Sequence, residues 1–375
     1  MPTPDEALEQ LKQDGLLRQL RPLDSPTGPR VTRDGRELWN FASNDYLGLA
    51  TDPRLVEAFK EGLDRYGAGA AASRLVTGSL PPHQQFEQQL AAAKGSESAL
   101  LFSSGFATAV GSIPAIVGKD DHVVLDKLCH ACLIDGARLS GATLRVFPHN
   151  DLDRLDELLG SIRAKSTGRI LILTESVFSM DGDLCPLREI VALKEQHDAL
   201  LLVDEAHAFG VLGPSGMGLA EEFKLQNRID FQMGTLSKAA GLSGAYLAGS
   251  TAWCDLLVNR ARSFVFSTAP PPALAHAASA ALKTILEGAE LRAALRTRIE
   301  LLEASAASPI LPRILGDAQR ALDASAQLEQ MGFLVPAIRY PTVPRGAARL
   351  RISVAANHPV EIVKTLKSAL KTSPI

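Results

Sequence analysis

The sequence predicts an α/β protein: a mainly parallel, seven-stranded mixed sheet flanked by helices, followed by a smaller α+β C-terminal domain. Three observations carry this. Seven runs, at residues 99–103, 122–126, 143–147, 170–174, 199–204, 229–234 and 243–248, are mainly apolar in continuous rather than alternating order, as strands covered on both faces tend to be. Helix-like or turn-rich segments separate most of them, as at 152–162 and 187–196. The last two runs are joined without a full helix, so at least one antiparallel neighbour is expected.

The elements follow in order. Thr3-Pro4-Asp5-Glu6 reads as a helix start, with Thr3 as cap, Pro4 in the first turn and Glu6 closing a capping box. Residues 31–41, with Asp34-Gly35 at the turn, read as a short hairpin. Ser103-Ser104-Gly105-Phe106 follows the first sheet strand and opens a helix that runs to Val117. Beyond Pro272 the pattern changes to a long helical region carrying Leu286, Leu291, Leu295, Ile299 and Leu302, interrupted by Gly288. Then come a strand near 310–315, a helix at 318–331, strands near 333–338 and 349–354, and a helix after Pro359. The expected division is an N-terminal arm at 1–44, a large domain at 45–272 and a small domain at 273–375.

Composition excludes several classes. A net charge of −3 gives no attraction for nucleic acid or an anionic membrane. Asp5, Glu6 and Glu9 fall where a signal peptide needs basic and then apolar residues, so a cytoplasmic protein is expected. The longest uncharged stretch, 263–282, contains Pro270, Pro271 and Pro272 and is rich in Ala and Ser, which argues against a membrane span. Cys129 and Cys132 form C-x-x-C, but Cys185 and Cys254 stand alone, so no second pair completes a zinc site.

The chemistry concentrates at two strand ends. The run at 199–203 ends in Asp204, with His207 three residues on, and the next run ends in Gly234-Thr235-Leu236-Ser237-Lys238. A carboxylate, an imidazole, small hydroxyls and one lysine are the parts that hold pyridoxal phosphate through a Schiff base. An ion pair at ~4 Å with an effective dielectric of ~20 is worth roughly 4 kcal/mol. That is about three pKa units, enough to keep a pyridine nitrogen protonated at Asp204. Lys238 sits among small residues rather than on a charged face, and partial burial frees its amine for imine chemistry. Gly105 and Phe106, at a helix N-terminus, offer backbone N–H groups to a phosphate. Asp204-Glu205-Ala206-His207 also matches a helicase box, which needs a phosphate loop. The nearest Gly-Lys pair, Gly118-Lys119, is followed by Asp120 and has Ile113 in the first glycine position.

Eight motifs in order then resemble the α-oxoamine synthase family of fold-type-I pyridoxal phosphate enzymes. They are Ser43-Asn44-Asp45-Tyr46-Leu47-Gly48, Ser73-Arg74-Leu75-Val76-Thr77-Gly78, Ser104-Gly105-Phe106, Asp126-Lys127-Leu128-Cys129-His130-Ala131, Phe178-Ser179-Met180-Asp181-Gly182, Val203-Asp204-Glu205-Ala206-His207, Gly234-Thr235-Leu236-Ser237-Lys238 and Arg349-Leu350-Arg351. The resemblance spans Arg18 to Asn357. It implies the pyridoxal-phosphate-dependent transferase fold, with Lys238 as the Schiff-base lysine, Asp204 as the pyridinium partner and His130 stacked on the ring. His207 and Ser179 match groups near the phenolic oxygen. Thr235, Gly105 and Phe106 match phosphate contacts, joined by Ser267 and Thr268 from the other subunit of a homodimer. Asn44 and Arg351 match residues that hold the amino-acid substrate, and Arg18 and Thr342 match acyl-substrate contacts. No metal is implied. Ser237, where glycine is common, and Cys129, where Asn or Ser is common, are departures.

Within the family, Ser73–Gly78 and the stretch from Ala337 to Pro344 look most like members that condense L-alanine with a pimeloyl thioester of coenzyme A or of acyl carrier protein. Members that use glycine and an acetyl thioester are the nearest alternative.

Overall fold

The seven apolar runs form strands of a single sheet: Ser98–Phe102, His122–Asp126, Thr143–Phe147, Ile170–Glu175, Leu200–Asp204, Phe231–Thr235 and Ala245–Gly249. This computed structural model describes residues 2–372. Across the sheet the order is Ser98–Phe102, Ala245–Gly249, Phe231–Thr235, Leu200–Asp204, Ile170–Glu175, His122–Asp126, Thr143–Phe147. Ala245–Gly249 runs antiparallel to both neighbours and the remaining pairs are parallel, so the sheet is mixed as expected.

Ile170–Glu175 and Phe231–Thr235 are buried at every position. Successive strand residues point to opposite faces. Leu171, Leu173 and Leu202 therefore enter one core beneath the Gly105–Ile116 helix. Ile172, Leu201 and Val203 enter the other, beneath Leu152–Arg163 and Leu187–Gln196. Each fully buried aliphatic side chain contributes about 1.5–3 kcal/mol, which is why the central strands are mostly aliphatic; buried Gln232 is an exception, with its amide donating to Lys94 O at 3.2 Å.

The chain divides into two units. The larger is Asn44–Leu311 with Val354–His358, and the smaller gathers the chain up to Ser43, Pro312–Ser353 and the chain from Pro359. These boundaries differ from the expected 1–44, 45–272 and 273–375. The helix Pro272–Glu287 packs its alanine-rich face on helices Pro53–Tyr66 and Pro81–Lys94. The fit is close: a Cβ on Gly62 would come 2.8 Å from Ala273 Cα. Residues 273–311 therefore belong to the larger unit.

In the smaller unit the hairpin Arg30–Arg33 and Arg36–Asn40 turns at Asp34 and Gly35, both with positive φ. Phe333–Leu334 adds to it in parallel, so the N-terminal arm is part of the C-terminal unit rather than a separate segment. The single strand expected near 333–338 is two short strands, because Ala337–Ile338 pairs instead with Ala348–Ser353. Pro336, which has no N–H for a ladder, stands between them. The first helix, Pro4–Gln13, has the expected Thr3–Glu6 capping box. Among the described residues no helix is long and apolar enough to cross a membrane.

Candidate active site

Parallel strands bring their C-terminal ends to one edge of the sheet, where open α/β folds place ligands. In the larger unit that edge holds a cavity of about 210 Å³. Of the predicted residues, Gly105, Phe106, His130, Asp204, His207, Thr235 and Lys238 line it. Cys132, Glu175 and Ser237 line it too.

Lys238 Nζ lies 2.8 Å from His207 Nε2, and His207 Nδ1 lies 2.6 Å from Tyr46 Oη. As an ammonium, Lys238 can only donate, so Nε2 accepts and Nδ1 carries the hydrogen. That hydrogen goes to Tyr46 Oη, whose own O–H donates to Asn44 Oδ1 at 3.1 Å. The chain of bonds fixes the imidazole's orientation, and places Asn44 three hydrogen bonds from the lysine amine.

Asp204 is 6% exposed, and its Oδ1 accepts the Ala206 N–H at 2.9 Å. Among the described residues no side chain hydrogen-bonds to its carboxylate. Burial pushes the carboxyl above its usual range, opposed by the charge of Lys238. Glu175 stands beside it in register on the adjacent strand. Burial and the neighbouring Asp204 charge raise Glu175 to about 8. With Glu175 held mostly in its neutral form, Asp204 is the carboxylate left to face a protonated ring nitrogen.

His130 Nδ1 accepts the Cys132 N–H at 3.2 Å and lies 3.0 Å from Cys132 Sγ. Burial lowers the pKa of His130, so the ring is neutral with its hydrogen on Nε2. At the other end of the cavity Ser104 Oγ caps the Gly105–Ile116 helix by accepting the Ala107 N–H at 3.1 Å. The Gly105 and Phe106 amides have no acceptor among the described residues, as first-turn donors do until an anion arrives. Thr235 Oγ1 lies 2.7 Å from Ser237 Oγ and donates to Gly244 O at 2.9 Å. Amine, neutral imidazole, unpaired carboxylate and a helix N-terminus together fit pyridoxal phosphate.

The other predicted residues lie elsewhere. Ser179 does not line the cavity, but its N–H bonds the Glu175 carboxylate. Thr268 bridges to Ser73, and neither it nor Ser267 lines the cavity of its own chain. In the smaller unit Arg18 donates to Thr342 Oγ1 at 3.1 Å, and both line a groove of about 590 Å³. Arg351 is buried there and donates to Ser353 Oγ at 2.8 Å. Cys129 and Cys132 are buried free thiols with raised pKa, the opposite of what a reactive C-x-x-C needs. Glu205 pairs with buried Lys94 and caps the Leu219–Glu222 helix through the Leu219 and Ala220 amides, so it is structural. Sequence reasoning assigned no role to Tyr46 or Glu175. Glu175 carries the signal that marked Asp204, a carboxylate closing an apolar run.

Known proteins agree with this geometry. The chain is 48% identical to an 8-amino-7-oxononanoate synthase of Anaeromyxobacter dehalogenans, over 97% of this chain and 93% of that protein. It superposes on a serine palmitoyltransferase from S. paucimobilis, solved with bound PLP–myriocin, with a TM-score of 0.91 and 28% identity over 96% and 94% of the two chains. An 8-amino-7-oxononanoate synthase structure from Francisella tularensis gives 0.77 and 29% identity, over 90% of this chain and 99% of that one. The fold is thus the fold-type-I transferase fold of pyridoxal phosphate enzymes. The model of the aminotransferase class I and II family matches residues 36–370, and the chain belongs to that family.

Proposed function

We propose that this chain is a pyridoxal-phosphate-dependent C-acyltransferase that condenses L-alanine with a pimeloyl thioester, releasing carbon dioxide and the thiol, to form 8-amino-7-oxononanoate for biotin synthesis. The observation that carries the reading is the Lys238 amine, hydrogen-bonded to His207 in a cavity it shares with buried Asp204. The 48% identity to synthases of that name supports the choice of reaction. The enzyme is cytoplasmic and takes its acyl group from coenzyme A or acyl carrier protein.

Bound pyridoxal phosphate supplies a protonated ring that takes up the negative charge left at the amino-acid Cα. Lys238 would hold the cofactor covalently, and its amine would move the Cα proton. Asp204 keeps the proton on the ring nitrogen. His207, held by Tyr46, would stand near the phenolic oxygen together with Ser179. His130 would cover the ring face, leaving its Nε2–H free to donate. The Gly105 and Phe106 amides and Thr235 bind the phosphate. Asn44 and Arg351 hold the amino acid, Arg351 through its carboxylate, and Arg18 and Thr342 contact the acyl chain. Assaying the purified protein with alanine, glycine and serine, each against acetyl, pimeloyl and palmitoyl thioesters, tests this. Turnover should be highest for alanine with pimeloyl thioester. A preference for glycine with the acetyl thioester would favour the glycine C-acetyltransferase reading.

The enzyme is a homodimer with shared sites, in which Ser267 and Thr268 serve the phosphate of the partner subunit. Their absence from the cavity of their own chain supports this. Phe106 at the cavity and Phe266 beside Ser267 are exposed, at 49% and 71%, and a second copy would cover them. Mixing Lys238→Ala subunits with Ser267→Ala/Thr268→Ala subunits should restore activity, because one site of each hybrid collects both defects and the other has neither. At random mixing about half the dimers are hybrid, so roughly a quarter of all sites are intact. Demonstrated subunit exchange with no return of activity contradicts the shared site.

A further inference from the structure

The loop ending at His130 and the loop carrying Ser179 meet, outside the cavity, at His149 and the adjoining Asn150. His149 follows the Thr143–Phe147 strand. Its Nδ1 lies 3.1 Å from Asp126 Oδ1 and its Nε2 lies 2.7 Å from Asp183 Oδ2. Ionised carboxylates only accept, so both ring nitrogens carry hydrogen and the ring is an imidazolium. Burial disfavours that charge, but the bonds to Asp126 and Asp183 outweigh it and raise the pKa to about 10. The ring also stands edge-on to Phe178, with centroids 4.3 Å apart.

Each aspartate anchors a loop. Asp126 Oδ1 accepts the Leu128 N–H at 2.8 Å and Asp126 O accepts the Cys129 N–H at 3.1 Å, one residue before His130. Asp183 closes the other turn, accepting the Phe178 N–H at its carbonyl at 3.0 Å. On the cavity side Glu175 joins the same two loops, because its carboxylate accepts the N–H groups of both His130 and Ser179. The loops are thus tied inside by Glu175 and outside by His149, with Asn150 beside it donating its N–H to Asp126 Oδ2 at 2.8 Å and its Nδ2 to Asp183 Oδ2 at 3.3 Å.

We propose that His149 is a positioning residue: by binding Asp126 and Asp183 at once, it locks the loop that presents His130 to the loop that carries Ser179. A phenyl ring keeps the contact with Phe178 but has no donor, and an amide donates from a single nitrogen without charge, so neither can span the two carboxylates.

Hydrogen exchange of the full-length protein as isolated, followed at single amides, tests the lock. In His149→Phe the His130 and Ser179 amides should exchange roughly ten-fold faster or more, while Leu173 and Leu202 in the sheet keep their protection. Unchanged exchange at His130 and Ser179 overturns the proposal. Faster exchange spread evenly to Leu173 and Leu202 also overturns it, because it marks general loosening. Asp183→Asn keeps the Asp126 ion pair and gives an independent reading if His149→Phe does not fold. It should speed exchange at Ser179 more than at His130, and an equal effect or none overturns the proposal.

Discussion

Asp204→Asn is expected to keep the fold and to lower turnover by roughly 10²–10³-fold or more, the rate equivalent of about 3–4 kcal/mol of lost charge stabilisation. The amide oxygen can still accept the Ala206 N–H, so the local turn is preserved. A neutral amide cannot hold a proton on the ring nitrogen, so the charge at Cα loses its sink. Stability should move the other way. Burial holds the Asp204 carboxyl above its usual range, which means the charged form is disfavoured in the folded protein. Removing that charge should leave the cofactor-free melting temperature unchanged or higher at neutral pH. Steady-state kinetics and thermal melting read the two effects. Near-normal turnover would reduce Asp204 to a turn residue.

Lys238→Ala should be more severe, because one side chain serves as covalent anchor and proton carrier. Positioned acid–base groups contribute roughly 10²–10⁴-fold, and loss of covalent attachment adds to that, so activity should fall to background. The change also removes the donor to His207 Nε2, while Tyr46 still fixes the ring through Nδ1. Cofactor bound without covalent attachment should therefore persist at reduced affinity, seen as a changed absorption band. Retention of more than about a hundredth of native turnover would place the proton transfer elsewhere.

Much of the fold was legible because the sheet strands are mainly apolar in continuous runs. The structure moves the strand ends by one or two residues, as from 243–248 to Ala245–Gly249. The short link between Thr235 and Ala245 foretold the antiparallel pair. The domain boundary was less legible, since the alanine-rich face of Pro272–Glu287 looks the same whichever neighbour covers it. In the site, Asp204, His207 and Lys238 stand close in sequence and signal their chemistry together. Glu175 gains its place from strand register with Asp204, and Tyr46 from a contact across 161 residues. Neither relation has a local signature. The role proposed for Ser267 and Thr268 calls for a second copy of the chain, which a single sequence or fold does not display.

The central claim is that Lys238 carries the cofactor, and borohydride reduction followed by peptide mass mapping tests it most directly. The protein loaded with pyridoxal phosphate should give a single pyridoxyl adduct on Lys238, with buried Lys94 and the neighbouring Lys127 unmodified. An adduct on another lysine, or no adduct from a protein that binds the cofactor, would contradict the account.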